Sequence, residues 1–417
     1  MSAGIHLQAT FSNTTLPERS EPQLLYMLLE ATPEGLPKSL PKLPLNLCLV
    51  IDRSSSMRGE RLSQVKDAAQ RIVDQMEGSD YFSLITFNDR AEVVISSQRV
   101  QQRSEIKRKI GLIDATGGTE MASGLALAVQ EMQRGMMMGN VVNRIMLLTD
   151  GRTYGDESQC VHIVRRAQER KVGLTALGVG HEWNEDLLET MAARENSRTQ
   201  YITSAPEIAQ VFHEEMNRMS SIFAQGVQLR LQLRPEAMLR SLDRVQPFLS
   251  QVPILEVRDS CWEGELGDWP GSDMQAFLLE IAVPPLAVGK HPLLQLKLMY
   301  DLPGVNATNQ HTNLALNIEL CPADKAPQGI DGTVKYWLER LIAYRLQSRA
   351  WQDVEAGNLE DATQRLRMAG TRLFESGETE LARTLEDEAT RLLKSGSTSA
   401  EGRKRIKYGT RGLIKRQ

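Results

Sequence analysis

The side chains best suited to chemistry in this chain are hydroxyls and carboxylates gathered in three short segments. Asp52, Ser54 and Ser56 follow the apolar run Leu45-Asn46-Leu47-Cys48-Leu49-Val50-Ile51. Thr119 closes the tight turn Gly117-Gly118, and Asp150 ends a second apolar run, Ile145-Met146-Leu147-Leu148-Thr149. Oxygen ligands without nitrogen or sulfur suit a hard divalent cation: Mg2+ first, with Mn2+ or Ca2+ also compatible. A loop of the form Asp-x-Ser-x-Ser can fold back so that both hydroxyls aim at one point while the acid supplies charge. Thr119 and Asp150 must arrive from other loops, so such a site exists only when the fold brings the three segments together. The same residues have a plainer reading, in which Asp52 and the serines cap a helix starting near Gly59.

Regular elements have to hold those segments, and the pattern from residue 40 to 225 supplies them. Leu62, Val65, Ala69, Ile72, Val73 and Met76 fall on one helical face. Tyr81 to Phe87 and Ala91 to Ile95 read as strands joined by a turn at Asn88-Asp89-Arg90. Met121 to Met132 and Asp156 to Arg170 read as helices, Val172 to Val179 as a strand, and a further helix begins at Leu187. Short apolar runs such as Ile145 to Leu148 mark central strands buried on both faces. The alternation predicts a doubly wound parallel sheet with one antiparallel edge strand. Ligands of such sheets bind outside the carboxyl ends of the strands, where Asp52 and Asp150 both fall.

In order and spacing, Asp52-x-Ser54-x-Ser56, Thr119 and Asp150 resemble the metal-ion-dependent adhesion site of the von Willebrand factor type A (VWA) domain. The resemblance implies a Rossmann-like α/β fold for residues 40–225. It implies that Ser54, Ser56 and Thr119 touch the ion, and that Asp52 and Asp150 act directly or through water. One position would stay open for a carboxylate from a partner protein. The implied role is a protein-binding module, not an enzyme, of the kind that serves inside bacterial cells as an assembly or regulatory factor.

The flanking segments change period. Val227-Gln228-Leu229-Arg230-Leu231-Gln232-Leu233 alternates apolar and polar, the mark of a half-buried strand. Phe277 to Val283, Leu293 to Met299 and Leu314 to Leu320 continue in strand mode, which predicts a β-sandwich over residues 226–322. Residues 1–39 carry strand signals, Leu24 to Ala31 among them, before a linker containing Pro33, Pro37, Pro41 and Pro44. Without helices of their own to pack on, those strands are assigned to the same sandwich. The α/β domain is then an insertion in a β-sandwich, followed by a C-terminal helical bundle. The bundle spans residues 326–395, with Leu359, Ala362, Leu366, Ala369 and Leu373 as its seam. Residues 396–417 read as a flexible basic tail without an apolar face. Thr410, set among Arg405, Lys407 and Arg411, supports an alternative role as a kinase substrate read by a phosphothreonine-binding partner.

Composition narrows the partners. A formal net charge of -4 gives no global drive toward nucleic acid or anionic membrane. No apolar stretch is long enough for a membrane-spanning helix, and Met1 to Gln8 lacks the order of a signal peptide. Cys48, Cys160, Cys261 and Cys321 are scattered and form no CxxC pair, so a reducing cytoplasm is expected. No GxxxxGK[ST] loop or GxSxG elbow occurs. His213-Glu214-Glu215 lacks the second histidine of a zinc protease motif, and Ser54 stands where a phosphoaspartate hydrolase needs its second acid. Met136-Met137-Met138 reads as loop or core filler.

Overall fold

The computed structural model describes residues 3–35, 43–137, 141–153, 155–194, 196–271 and 274–412. Pro37, Pro41, the boundary expected at residues 39–40, Met138 and the last five residues of the expected tail lie outside these. Two compact units emerge, one of residues 1–40 and 223–417, the other of residues 41–222. The second is inserted in the chain between two parts of the first.

The first unit opens with β1 (Gly4–Phe11), β2 (Thr15–Pro17) and β3 (Gln23–Glu34). The inserted unit then begins with β4 (Leu45–Asp52), α1 (Glu60–Gln75), β5 (Tyr81–Phe87) and β6 (Ala91–Arg99). It continues with α2 (Arg103–Gly111), α3 (Met121–Met136), β7 (Val142–Thr149) and α4 (Glu157–Gln168). It closes with β8 (Gly173–Val179), α5 (Glu185–Met191), β9 (Arg198–Ile202) and α6 (Ile208–Ser220). Its sheet runs β6-β5-β4-β7-β8-β9, parallel except for the edge strand β6. Every residue of β4 and β8 is buried, because helices cover both faces; this is why neither strand alternates in sequence. Leu62, Val65, Ala69, Ile72 and Val73 of α1 join Leu47, Leu49 and Ile51 of β4 in one core. From β4 the chain steps one way to β5 and later returns to β7 on the other side. The crevice at the carboxyl ends of β4 and β7 is therefore the topological switch point. Among the elements of this unit that the sequence pattern does not mark, α2 buries only Ile106 and Ile110, and β9 is a short edge strand with polar Thr199 and Gln200 in its middle.

The first unit resumes with β10 (Ile222–Leu233), β11 (Met238–Gln246), β12 (Ser250–Gln251) and β13 (Ile254–Arg258). β14 (Cys261–Pro270), β15 (Gln275–Val283), β16 (Gly289–Leu302) and β17 (Ala307–Cys321) complete its strands. The two sheets run β1-β3-β15-β11-β12 and β13-β14-β10-β16-β17-β2. Their inner faces meet around Leu25, Met27, Leu229, Leu231, Phe277 and Leu296. Four helices follow: α7 (Gly332–Glu355), α8 (Leu359–Glu375), α9 (Thr379–Ser395) and α10 (Ala400–Thr410). α7 covers the outer face of the five-stranded sheet, where Val334, Leu338 and Leu341 meet Leu28, Val245 and Leu278. β3 is thus buried on both faces, which explains the unbroken apolar run around Leu28. Arg345 of α7 pairs with Asp243 at 2.8 Å and Glu280 at 3.3 Å on that sheet.

The flexible tail expected over residues 396–417 is corrected by α10. Ser399 caps this helix by accepting from Gly402 N at 2.9 Å, and Glu388 of α9 accepts from both Ser399 N and Ser399 Oγ. Gly402, Lys404, Ile406, Tyr408 and Thr410 are buried. Their every-other-residue spacing reflects a helix wedged against α7 and α9, a pattern that a search for one helical stripe passes over. The basic residues are spent internally: Arg403 pairs with Glu355 and lies over the Trp351 ring, and Arg405 pairs with Glu380. Arg411 Nε donates to Leu249 O at 3.1 Å. Thr410 is 1% exposed, and its hydroxyl donates to Ile406 O at 2.9 Å. A kinase cannot reach that oxygen in the folded chain, so the phosphothreonine reading is withdrawn.

Truncating Ile406 to alanine is expected to destabilise the first unit by about 3 kcal/mol, the usual cost of deleting a fully buried aliphatic side chain. Urea unfolding measures it; a variant as stable as wild type would restore the tail as a solvated appendage.

Candidate metal centre

β4 and β7 deliver the two acids to neighbouring strand ends. Their register pairs Ile51 with Leu148, which sets Asp52 beside Thr149. The Thr149 hydroxyl donates to Asp52 Oδ2 at 2.7 Å. Ser54 N donates to Asp52 Oδ1 at 2.8 Å, turning the loop back over the strand end. The two serine hydroxyls then lie 3.0 Å apart, and Ser56 Oγ donates to Asp150 Oδ1 at 2.7 Å.

The second segment is tied to the first by backbone. Ser55 N donates to Gly117 O at 3.0 Å, and Thr116 N to Arg53 O at 2.8 Å. Gly117 has a φ of +78°, and a β-carbon there would collide with the Asp89 carboxylate. Asp89 Oδ1 in turn accepts from Gly118 N at 2.9 Å. Glycine at this turn is therefore a requirement of both conformation and space. The turn aims Thr119 at the same spot as the other ligands. A β-carbon added to Gly151 would lie 3.3 Å from Thr119 Oγ1 and 4.0 Å from both Asp52 Oδ2 and Ser56 Oγ. The bare Gly151 thus leaves a hollow that three of the predicted oxygens face.

All five residues singled out in the sequence converge here. Their capping alternative fails: α1 begins after Gly59, and no side chain caps it or the single turn at Ser55–Met57. The set fits a divalent ion, because its donors are all oxygen and two of them are acids. Among the described residues no cluster of three or more His, Cys, Asp or Glu forms a conventional metal site; here hydroxyls complete the set.

Several participants were not found from sequence. Thr149 steadies Asp52. Thr153 and Asp156 receive the first backbone N–H groups of α3: Met121 N donates to Thr153 Oγ1 at 3.2 Å and Ala122 N to Asp156 Oδ2 at 2.7 Å. They fix the exit of the Thr119 loop. Arg61, in the first turn of α1, donates from Nη1 to Asp150 Oδ2 at 2.6 Å. Thr, Asp and Arg are too common at such places for spacing alone to reveal them.

Asp52 is wholly buried, and Asp150 is 1% exposed. Burial pushes the Asp52 carboxyl up to about 6, and the Asp150 charge adds to this; hydrogen bonds from Thr149 and Ser54 hold it down in part. Ser56 is exposed and Thr119 half-buried, so the site opens on their side.

A family model described as von Willebrand factor type A domain matches residues 46–214. A second, described as Sll0103-like, C-terminal alpha-helical domain, matches residues 332–416 and so includes α10. Protein sll0103 of Synechocystis sp. is 33% identical over 365 residues, covering 87% of this chain and 86% of that protein. The von Willebrand factor type A structure from Catenulispora acidiphila superposes with a TM-score of 0.77 at 18% identity, covering 98% of this chain and 97% of the other. The ArnB paralog VWA2 from Sulfolobus acidocaldarius gives 0.59 at 15% identity, covering 98% and 99%. At such identities the two structures speak to the fold alone. Fold and matched model together define a VWA domain protein. Within that class the chain belongs to the Sll0103-like family, in which a VWA domain is joined to a C-terminal helical domain.

The raised Asp52 carboxyl makes the metal-free fold pH-dependent in a definite direction. Its contribution to stability is complete below the ordinary value of 3.8 and is lost as pH rises through about 6. In the presence of chelator, Asp52→Asn is therefore expected to melt at a higher temperature than wild type at neutral pH, with the difference closing toward acid. Calorimetry across that range checks it; a variant less stable than wild type at neutral pH would contradict the burial argument.

Proposed function

We propose that this protein is a metal-dependent protein-binding module, not an enzyme. The observation that carries the proposal is the convergence of Asp52, Ser54, Ser56, Thr119 and Asp150 on the hollow beside Gly151. VWA domains mediate protein–protein interactions, often through a metal at this kind of site, which supports the reading. In it, Ser54, Ser56 and Thr119 hold a divalent cation, Mg2+ first, with Asp52 and Asp150 supplying charge. Once bound, the ion supplies an electrophilic position for a carboxylate of a partner protein.

The residues divide the work. Asp52 anchors the loop through Ser54 N and Thr149 while contributing charge from within the sheet. Ser56 and Thr119 face the opening and set where an acidic side chain can approach. The hydrogen bonds that tie the five residues together are made by hydroxyl, carboxylate, backbone and guanidinium groups, a set suited to holding a hard cation. The four cysteines are free, three of them buried, which supports a reducing compartment such as the cytoplasm. No helix among the described residues is long and apolar enough to cross a membrane.

Titration calorimetry with Mg2+ and Mn2+ on the full chain is expected to show one site. Ser54→Ala and Asp150→Ala should weaken it by roughly 100-fold or more, since even indirect supports of a metal site cost 10–100-fold. A partner captured by the wild type from its native cell should be lost on chelation and in Asp150→Ala. Equal metal affinity in the variants, or capture indifferent to chelator, would sink the proposal.

A further inference from the structure

We infer that Arg61 sets the metal affinity of this site, acting as an internal cation that a divalent ion has to displace from Asp150. The inference rests on the metal reading above and assigns a role to a residue that the reading leaves unused.

Arg61 Nη1 lies 2.6 Å from Asp150 Oδ2, and the same nitrogen lies 3.5 Å from Ser56 O. Asp150 is thus fully engaged, with Ser56 Oγ on one carboxylate oxygen and the guanidinium on the other. A β-carbon on Gly180, at the end of β8, would come 3.3 Å from Arg61 Nη2, so a larger residue there would crowd the guanidinium. Two other arginines on these loops are committed elsewhere: Arg53 Nη1 to Thr116 Oγ1 at 3.0 Å, Arg152 Nε to Glu182 O at 3.1 Å.

The asymmetry of exposure decides which partner can leave. The Asp150 side chain is 0% exposed and the Arg61 side chain 42%. Asp150 cannot turn to water, whereas Arg61 can swing outward from the first turn of α1. A second cation on the same carboxylate would meet the fixed charge of the guanidinium at close range. Gaining an ion at Asp150 therefore means losing or loosening the Arg61 contact, and the measured affinity is the difference between the two.

The test is Mn2+ titration of the full chain by calorimetry, comparing wild type with Arg61→Gln, Arg61→Lys and Arg58→Gln. Arg58 is exposed on the same loop, so its variant makes the same charge change outside the Asp150 contact. Arg61→Gln is expected to bind Mn2+ about tenfold more tightly than wild type, the size of one hydrogen bond to a charged group. Arg58→Gln should change affinity by about twofold or less, as for an exposed, screened charge. Arg61→Lys, which keeps the charge without the fork, should fall between wild type and Arg61→Gln. Binding by Arg61→Gln alone, with none by wild type, would support the inference more strongly still. Unchanged or weaker binding by Arg61→Gln, or an equal gain in Arg58→Gln, would overturn it while leaving the metal reading intact. No Mn2+ binding by any of the four would overturn the metal reading, and the inference with it.

Discussion

Two carboxylates buried side by side at the ends of adjacent parallel strands are the constraint around which the α/β unit is arranged. Asp52 and Asp150 lie at the switch point between β4 and β7, where the sheet leaves an opening at its carboxyl edge. A buried acid is costly unless it is hydrogen-bonded or paired. The surrounding loops answer that cost group by group. Thr149 and Ser54 N serve Asp52, while Ser56 and Arg61 serve Asp150. The arrangement is incomplete at Asp52, whose carboxyl stays raised by burial despite these bonds. A cation among the same oxygens would complete it, which connects the energetics of the fold to the proposed binding role.

The supports of the site form a connected set. The Gly117 turn, its Asp89 clamp and the backbone bonds to Arg53 and Ser55 fix the second loop against the first. Thr153 and Asp156 tie the third loop to the start of α3. Each of these residues acts on the ligand side chains through the position of the loop that carries them.

The other unit follows a different logic. Its sandwich buries one face of each sheet, and α7 buries the outer face of β3 and β15 as well. The polar tie across that second layer is Arg345. It reaches Asp243, whose own carboxyl is pushed up by burial and drawn back by the Arg345 charge. α10 closes the helical layer by returning to Leu249, where Leu249 N donates to Arg411 O at 2.9 Å. Much of the α/β fold was legible in the sequence, because strands such as β4 and helices such as α1 carry unambiguous periods. The five oxygen-bearing residues were legible because their types and order are rare in combination. What was missed depends on tertiary neighbours. α10 is held by α7 and α9 and not by an apolar stripe, and Arg403 and Arg405 look solvated until Glu355 and Glu380 are placed beside them. Arg61 looks like an ordinary helix residue until β7 brings Asp150 against it.

The central claim is that five oxygen-bearing side chains from three loops form one divalent cation site. Anomalous diffraction from crystals of the full chain grown with Mn2+ tests it most directly. The account predicts one strong peak in the hollow beside Gly151, within bonding reach of Ser54, Ser56 and Thr119, with Arg61 turned away from Asp150. A map without a peak there, with Arg61 still on Asp150 at saturating Mn2+, would contradict it.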